Sequence, residues 1–527
     1  MVTAKVGAGI RDMKKEAAID LRAILCSVVV VFGLIEFLHA SSVLIVYVGG
    51  IVSLAAFSSI FPVTTRYTRI IAVLLCGSGL AALVFSAEIS PVNIIKGFAE
   101  MTPLVTLMAA ITLLAIPLAL GRYAELFQRF YSRKSRSYQP YLVSLLISYV
   151  LSFFASLGSI APAYYLVSQN LNRIGINANS RFETTSISRG YGMVVIISPV
   201  TVSVGIALQY SGLTWIEMVV PVMFLSLAGL IMAFVLESSW RIPDEDKAPN
   251  EMQDEMQNKM QNKMQDNKAQ DYKMRNKKTQ GDTQNKTLPK TPQNGNKPTS
   301  NETEQEERAA ALPARRYISF LLLFVGLIST IYILGNVLNF SSLNSISAGC
   351  FIITISWGLF SGRARTVLNH GAVFFARDIS RLFDQILLFI SAGFFTYSME
   401  RSGGLAMLGS IIEGASGRVG TVVILAAVPL VIASLSVIGF HAFASGIIIA
   451  KTISLSPLYF NPLALAVALT CGMSISFMIS PFSGLVLMLS SFTKQSPYNV
   501  GIKWNLKFAA VFWALTIIFI ALANHFY

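Results

Sequence analysis

Two Ser-Pro pairs, Ser198-Pro199 and Ser480-Pro481, lie in the middle of long apolar stretches. A proline inside a helix has no N–H to donate and frees a carbonyl upstream. Each pair therefore sets free backbone oxygens beside hydroxyls: Ser198, Thr201 and Ser203 in the first, Ser480 and Ser483 in the second. Oxygens in such a set can ligate a cation, and Ser198, Ser203 and Ser480 are the candidate ligands. The half-helix that follows each break points the positive end of its dipole at the break, which suits an anion, so Thr201 and Ser483 are candidate solute contacts. Ahead of each pair stands another apolar stretch with a small-residue break at its centre, Ser156-Leu157-Gly158-Ser159-Ile160-Ala161-Pro162 and Ser436-Val437-Ile438-Gly439-Phe440-His441. These add Ser156, Gly158, Ser159, Gly439 and His441 to the candidate solute contacts. His441 is the one histidine expected in the membrane core. An imidazole titrates near ~6.5 and could make a proton-sensitive hydrogen bond to an anionic solute; the plain alternative is a neutral histidine satisfied by a neighbouring hydroxyl or carbonyl.

Composition decides what must position these groups. Of 527 residues, 54% are hydrophobic and 13% charged, with a mean hydropathy of +0.60, whereas soluble domains carry about a quarter charged residues. A soluble enzyme is excluded, and the fold expected is an all-α polytopic membrane protein in contact with the lipid bilayer. The net charge of +14 reads as basic loops on the cytoplasmic side and not as affinity for nucleic acid. Cys26, Cys76, Cys350 and Cys471 all fall in apolar blocks and read as small core residues. Lys5, Arg11, Lys14, Lys15 and Arg22 precede the first apolar block, with no A-x-A-like cleavage site after it, so a retained first span with a cytoplasmic N-terminus is expected.

A bilayer takes about 20 apolar residues per helix, and eleven spans are expected: 21–39, 42–61, 69–87, 104–120, 190–210, 215–236, 317–335, 345–360, 383–399, 461–492 and 503–525. The two centrally broken stretches, 141–167 and 419–450, read as re-entrant hairpins. Non-helical backbone at membrane depth is tolerated only inside protein or beside a polar cavity. Making either one a full span would move a basic cluster outside; as hairpins they leave only Lys96, Arg401, Arg418 and Lys451 there. Arg189 reads as a cytoplasmic flank that could also attract an anion. Membrane carboxylates would favour cation or proton antiport; Glu36, Asp384 and Glu400 are the candidates, the last two near span ends.

The halves repeat. Gly158 to Ala163 aligns with Gly439 to Ala444, and Ile197-Ser198-Pro199 with Ile479-Ser480-Pro481; a Gly-Met pair precedes each of the latter, Gly192-Met193 and Gly472-Met473. Three spans, an amphipathic stretch (121–140, then 402–418), a hairpin, a broken span and a last span make each repeat. Five spans is an odd number, so the repeats are expected to be inverted. The organisation is an N-terminal segment with the first span (1–40), a first transport repeat (41–237), an insert (238–315) and a second repeat (316–527). The insert is rich in Gln, Asn, Lys and Glu with near-tetrapeptide repeats from Met252 to Asn267, too polar to bury a core, and reads as a disordered cytoplasmic tether.

This order of elements resembles the ion transporter superfamily, most closely the divalent anion/sodium symporter type. The likeness covers roughly 42–525 apart from the insert. That family carries a Ser-Asn-Thr-like signature at each hairpin tip and broken span; the matching positions here read Ser156-Leu157-Gly158, Ile438-Gly439-Phe440, Ser198-Pro199-Val200-Thr201 and Ser480-Pro481-Phe482-Ser483, without the asparagines. The resemblance implies a homodimer. The function expected is secondary active transport of a small anionic, carboxylate-like solute by alternating access, with no cofactor beyond coupling Na+ or H+, in a bacterial inner membrane. A cation/proton antiporter of the same fold and a polytopic membrane enzyme (glycosyltransferase, ligase or polymerase) are the alternatives. An enzyme would be expected to need catalytic residues in a large outside loop, and the outside loops are short.

Overall fold

The structure is a computed structural model that describes residues 20–38, 43–121, 140–173, 180–237, 314–456 and 458–526. The regular elements of the described residues are all helices, without a strand. In the first half the helices are α1 (Leu21–Leu38), α2 (Val43–Ile60), α3 (Arg66–Phe85), α4 (Pro91–Ala99), α5 (Thr102–Leu120), α6 (Pro140–Ala155), α7 (Ile160–Arg173), α8 (Ser180–Val195), α9 (Val202–Ser211) and α10 (Trp215–Glu237). In the second they are α11 (Ala314–Tyr332), α12 (Ser342–Phe360), α13 (Ala364–Ala376), α14 (Phe383–Arg401), α15 (Gly404–Val419), α16 (Thr421–Ile438), α17 (Ala442–Ser454), α18 (Pro462–Ile479), α19 (Gly484–Thr493) and α20 (Trp504–Phe526). The expected insert and the first amphipathic stretch lie outside the described residues.

Helix starts follow local chemistry. Ser90 accepts from the Asn93 N–H just before Pro91, and Asn461 accepts from the Ala464 N–H just before Pro462. A side-chain acceptor at the N-cap and a proline at the first helical position both serve N–H groups that no turn can reach.

Among the described residues eleven helical runs are long and apolar enough to cross a bilayer, and nine of them are expected spans. The expected first span is the helix α1, Leu21–Leu38, and the expected span 190–210 is two helices, α8 and α9, with non-helical backbone between them. The other two of the eleven are Pro140–Gln169 and Thr421–Ile438, which belong to the expected hairpins. Both hairpin breaks are present: α6 and α7 are separated by a 3-10 turn at Ser156–Ser159, and α16 and α17 by Gly439 to His441. Their four arms have 16, 14, 18 and 13 residues, about 20 to 27 Å at 1.5 Å per residue, and the longest, α16, is itself long and apolar enough to cross a bilayer. Two helices were not expected: α4, and α13 between the expected spans 345–360 and 383–399. The weak amphipathic stretch 402–418 forms a regular helix, α15, between two glycines of positive φ, Gly403 and Gly420.

The broken spans are the centre of the molecule. The apolar window of Pro462–Thr493 is wholly buried, against 28% of the window in Val43–Val63, and every residue of α8 from Phe182 onward is buried. Lipid tails are as apolar as leucine, so close backbone approach through small residues replaces the hydrophobic effect here. A Cβ on Gly190 would lie 2.7 Å from the Leu145 carbonyl oxygen of α6, and one on Gly472 would lie 2.9 Å from the Pro429 Cα of α16. Gly190, not Gly192, is thus the contact equivalent of Gly472; Gly192 instead faces Ser474, whose hydroxyl donates to the Gly192 carbonyl at 2.6 Å. Gly472→Ala is expected to lower stability by about 1–3 kcal/mol through overpacking, while Gly414→Ala, where a Cβ meets nothing within 4 Å, leaves it unchanged or raised. Paired thermal melts in detergent check this, and equal melts would refute the close packing.

Candidate functional site

Each break is held by the same serine clamp. Ser198 Oγ donates to the Phe153 carbonyl at 2.7 Å, and Ser480 Oγ donates to the Ser436 carbonyl at 2.6 Å. Each serine also accepts from the N–H two residues on, Val200 and Phe482, both at 3.2 Å. The two clamps are 282 residues apart in sequence. Each one ties a broken span to the first arm of its own hairpin, three residues before the arm turns at a positive-φ residue, Ser156 (φ 45°) or Gly439 (φ 120°).

The carbonyls expected to be free at the breaks are in use. The Val195 carbonyl accepts from Ser203 Oγ at 2.6 Å and Thr201 Oγ1 at 3.3 Å; the Ser198 carbonyl accepts from Thr201 Oγ1 at 2.8 Å; the Ile197 carbonyl accepts from the Trp215 indole N–H at 2.9 Å. In the second break Ser483 Oγ donates to the Phe477 carbonyl at 2.7 Å and also caps α19 by accepting from the Val486 N–H. Removing a helix N–H leaves a buried acceptor that must be paired, and the nearest hydroxyls pair it. A hydroxyl can accept twice, so Thr201 and Ser483, which already accept once from Ser203 Oγ and the Val486 N–H, keep one position each. Thr201, the N-cap of α9, makes no such side-chain cap.

The tips differ. Ser159 Oγ donates to the Ser156 carbonyl and lies 2.7 Å from Ser152 Oγ, so the first tip closes on itself, with Gly158 open to space. The second tip is covered by Tyr67. Its hydroxyl donates to the Ile438 carbonyl at 3.1 Å, its ring stacks on Phe482 at 4.8 Å, and it occupies the space a Cβ on Gly439 would need. Only glycine fits there, on space and on φ. His441 caps α17: Nδ1 accepts from the Phe443 N–H at 3.3 Å, which puts the proton of a neutral ring on Nε2. The rings of Phe389, Phe443 and Phe477 surround it. Ser436 near the end of α16 and Ser445 in α17 have buried hydroxyls with no hydrogen-bond partner among the described residues. Neither was singled out from sequence, because a serine in an apolar helix ordinarily bonds its own backbone.

The halves interlock. The second arm of hairpin 1, α7, packs against α19 of the other broken span, and the second arm of hairpin 2, α17, packs against α9. Leu157 at the first tip reaches 4.0 Å from a Cβ position on Gly484, so Ser156, Gly158, Ser159 and Ser483 share one region, and Thr201 and Ser203 share another with α17.

Charges expected in loops are buried. Arg189 is 2% exposed, with its guanidinium on Glu237 (3.0 Å), Tyr141 Oη (3.2 Å), Asn505 Oδ1 (3.3 Å) and the Trp504 carbonyl (3.1 Å). It is not an open anion attractor, because its donors are committed. Lys451, expected in an outside loop, is buried on α17 between Glu100 and Glu400. Asp384 accepts from the Thr65 N–H at 2.8 Å. Glu183 and Glu237, absent from the carboxylate candidates, are buried; the basic residues around them in sequence disguised them as loop positions.

This is an all-α polytopic membrane protein whose most buried spans are its broken ones. No protein-family model and no curated protein matches the sequence. Among solved structures it is similar to the crystal structure of the Alcanivorax borkumensis YdaH transporter, described as having an unusual topology: 13% identity, a TM-score of 0.48, over 86% of this chain and 98% of that one.

Proposed function

We propose that the protein is a secondary active transporter that moves a small anionic, carboxylate-like solute by alternating access, driven by sodium or protons. The observation that supports this most is the pair of serine clamps, 282 residues apart, at breaks in the two most buried spans. Breaking a span at depth costs backbone hydrogen bonds and is tolerated where the break lines a cavity or protein. Two such breaks, each tied to an expected hairpin, suit an inverted-repeat arrangement, in which solute and ion sites meet near the midplane. The N-terminus of α9 lacks a side-chain cap, and α17, which packs against it, carries the unpartnered Ser445. Peptide N–H groups and a free hydroxyl together suit a carboxylate. Ser198, Ser203 and Ser480 remain the proposed cation ligands, through lone pairs left after donation. A homodimer in a bacterial inner membrane completes the reading.

Purified protein in proteoliposomes, offered a panel of carboxylates and inorganic anions under a sodium or a pH gradient, is expected to take up at least one solute saturably. Ser445→Ala is expected to raise its KM several-fold while the melting temperature stays put, since no hydrogen bond is lost. Absence of uptake across the panel under both gradients overturns the reading.

A further inference from the structure

Glu183 lies in the first turn of α8 with 2% of its surface exposed. Ser168 of α7 donates a hydrogen bond to its Oε1. The phenol of Tyr164, one turn earlier on α7, also faces the carboxyl, while its hydroxyl donates to the Phe492 carbonyl at 3.4 Å and its ring stacks on Phe492 of α19 at 5.0 Å. Among the described residues no cation is within ion-pair distance of Glu183. On its own helix Arg181 and Arg189 both go to Glu237 of α10; Arg189 is further held by Tyr141 of α6 and Asn505 of α20. Helices α18 and α19 carry no acidic or basic residue, and Lys494 beyond α19 is exposed. A carboxylate accepts at about four lone-pair positions, and two neutral hydroxyls, Ser168 and Tyr164, do not offset its loss of water. A buried acid with no counter-charge among the described residues is stable when it holds a proton.

We propose that Glu183 is a proton-binding site, protonated in this conformation and discharged when α7 separates from α8 and admits water. The carboxyl is placed to report that separation, because its hydroxyl partners sit on the hairpin arm that also touches the other half through Phe492. Charged Glu183 opposes closure of α7 on α8, and protonated Glu183 permits it. In a transporter this makes the proton the coupling ion; that coupling role rests on the transport reading, whereas the protonation does not.

The wild-type protein tests the protonation without any solute. Dicyclohexylcarbodiimide adds to protonated carboxyl groups in apolar surroundings, and peptide mapping is expected to find Glu183 modified at neutral pH, with labelling falling as pH rises and unaffected by sodium at fixed pH. No labelling at any pH, or protection by sodium, overturns the proposal, the latter in favour of a sodium site. In proteoliposomes Glu183→Gln, which mimics the protonated acid, is expected to abolish uptake driven by a pH gradient and to spare solute exchange. Gradient-driven uptake equal to wild type refutes the coupling role. Normal labelling without transport of any solute would leave the proton site standing and remove the transporter reading.

Discussion

Arg189→Leu is expected to lower the stability of the detergent-solubilised protein by about 3–5 kcal/mol, the cost of removing one member of a buried ion pair. The guanidinium touches α6, α10 and α20 at once, through Tyr141, Glu237 and Asn505 with the Trp504 carbonyl, and lies 5.0 Å from the Phe508 ring centre. Leucine would leave Glu237, 4% exposed, facing only the half-exposed Arg181 at 3.1 Å, and would strand the Tyr141 and Asn505 acceptors. Arg189→Lys is expected to recover little, because one ammonium cannot reach four acceptors spread around a planar fork. Adding Glu237→Gln to Arg189→Leu is expected to regain part of the loss by removing the unpaired charge. A melt of Arg189→Leu that overlays wild type would show that the network contributes nothing.

Lys451→Met is the second large effect, of order 2 kcal/mol after discounting for the partial exposure of its partners. The ammonium bridges Glu100, between α4 and α5, and Glu400 near the end of α14; the two acids are 29% and 43% exposed against 9% for the lysine. Without it two carboxylates confront each other, and α17 loses its only ion pairs among the described residues. The double variant Lys451→Met with Glu100→Gln is expected to melt above the single one, since one repulsive charge is gone. If the double variant is additive or worse, the triad is not an electrostatic unit.

What was legible in the sequence divides by distance. The eleven-run length pattern, the hairpin breaks and the paired Ser-Pro positions are local properties, read from apolar run length and from Gly, Ser and Pro placement. The failures involve partners far away along the chain. Lys451 sits in a sequence that looks like a loop end, and its partner Glu100 is 351 residues away. Arg189 looks like a basic flank because its acceptors come from three other helices. Register within the repeat was misjudged for a related reason: Gly192-Met193 and Gly472-Met473 match as letters, whereas packing against the hairpin arms pairs Gly190 with Gly472. Tyr67 was missed because nothing near it in sequence indicates that it would cover the second tip. The serines of the Ser-Pro pairs were singled out for ion chemistry; their visible task is to fasten hairpins to spans, and the oxygens that remain carry the proposal.

The exchange of partners between the halves, α7 on α19 and α17 on α9, has a consequence for biogenesis. Helices of the first half enter the membrane while the second half is still being synthesised, and α7 and α9 then have nothing to close against. Insertion can proceed span by span on hydrophobicity alone, but the centre can assemble only after α19 has been made, through contacts of very long sequence separation. Until then the first half is an inserted intermediate in which α7 and α9 lack the partners they have in the finished fold.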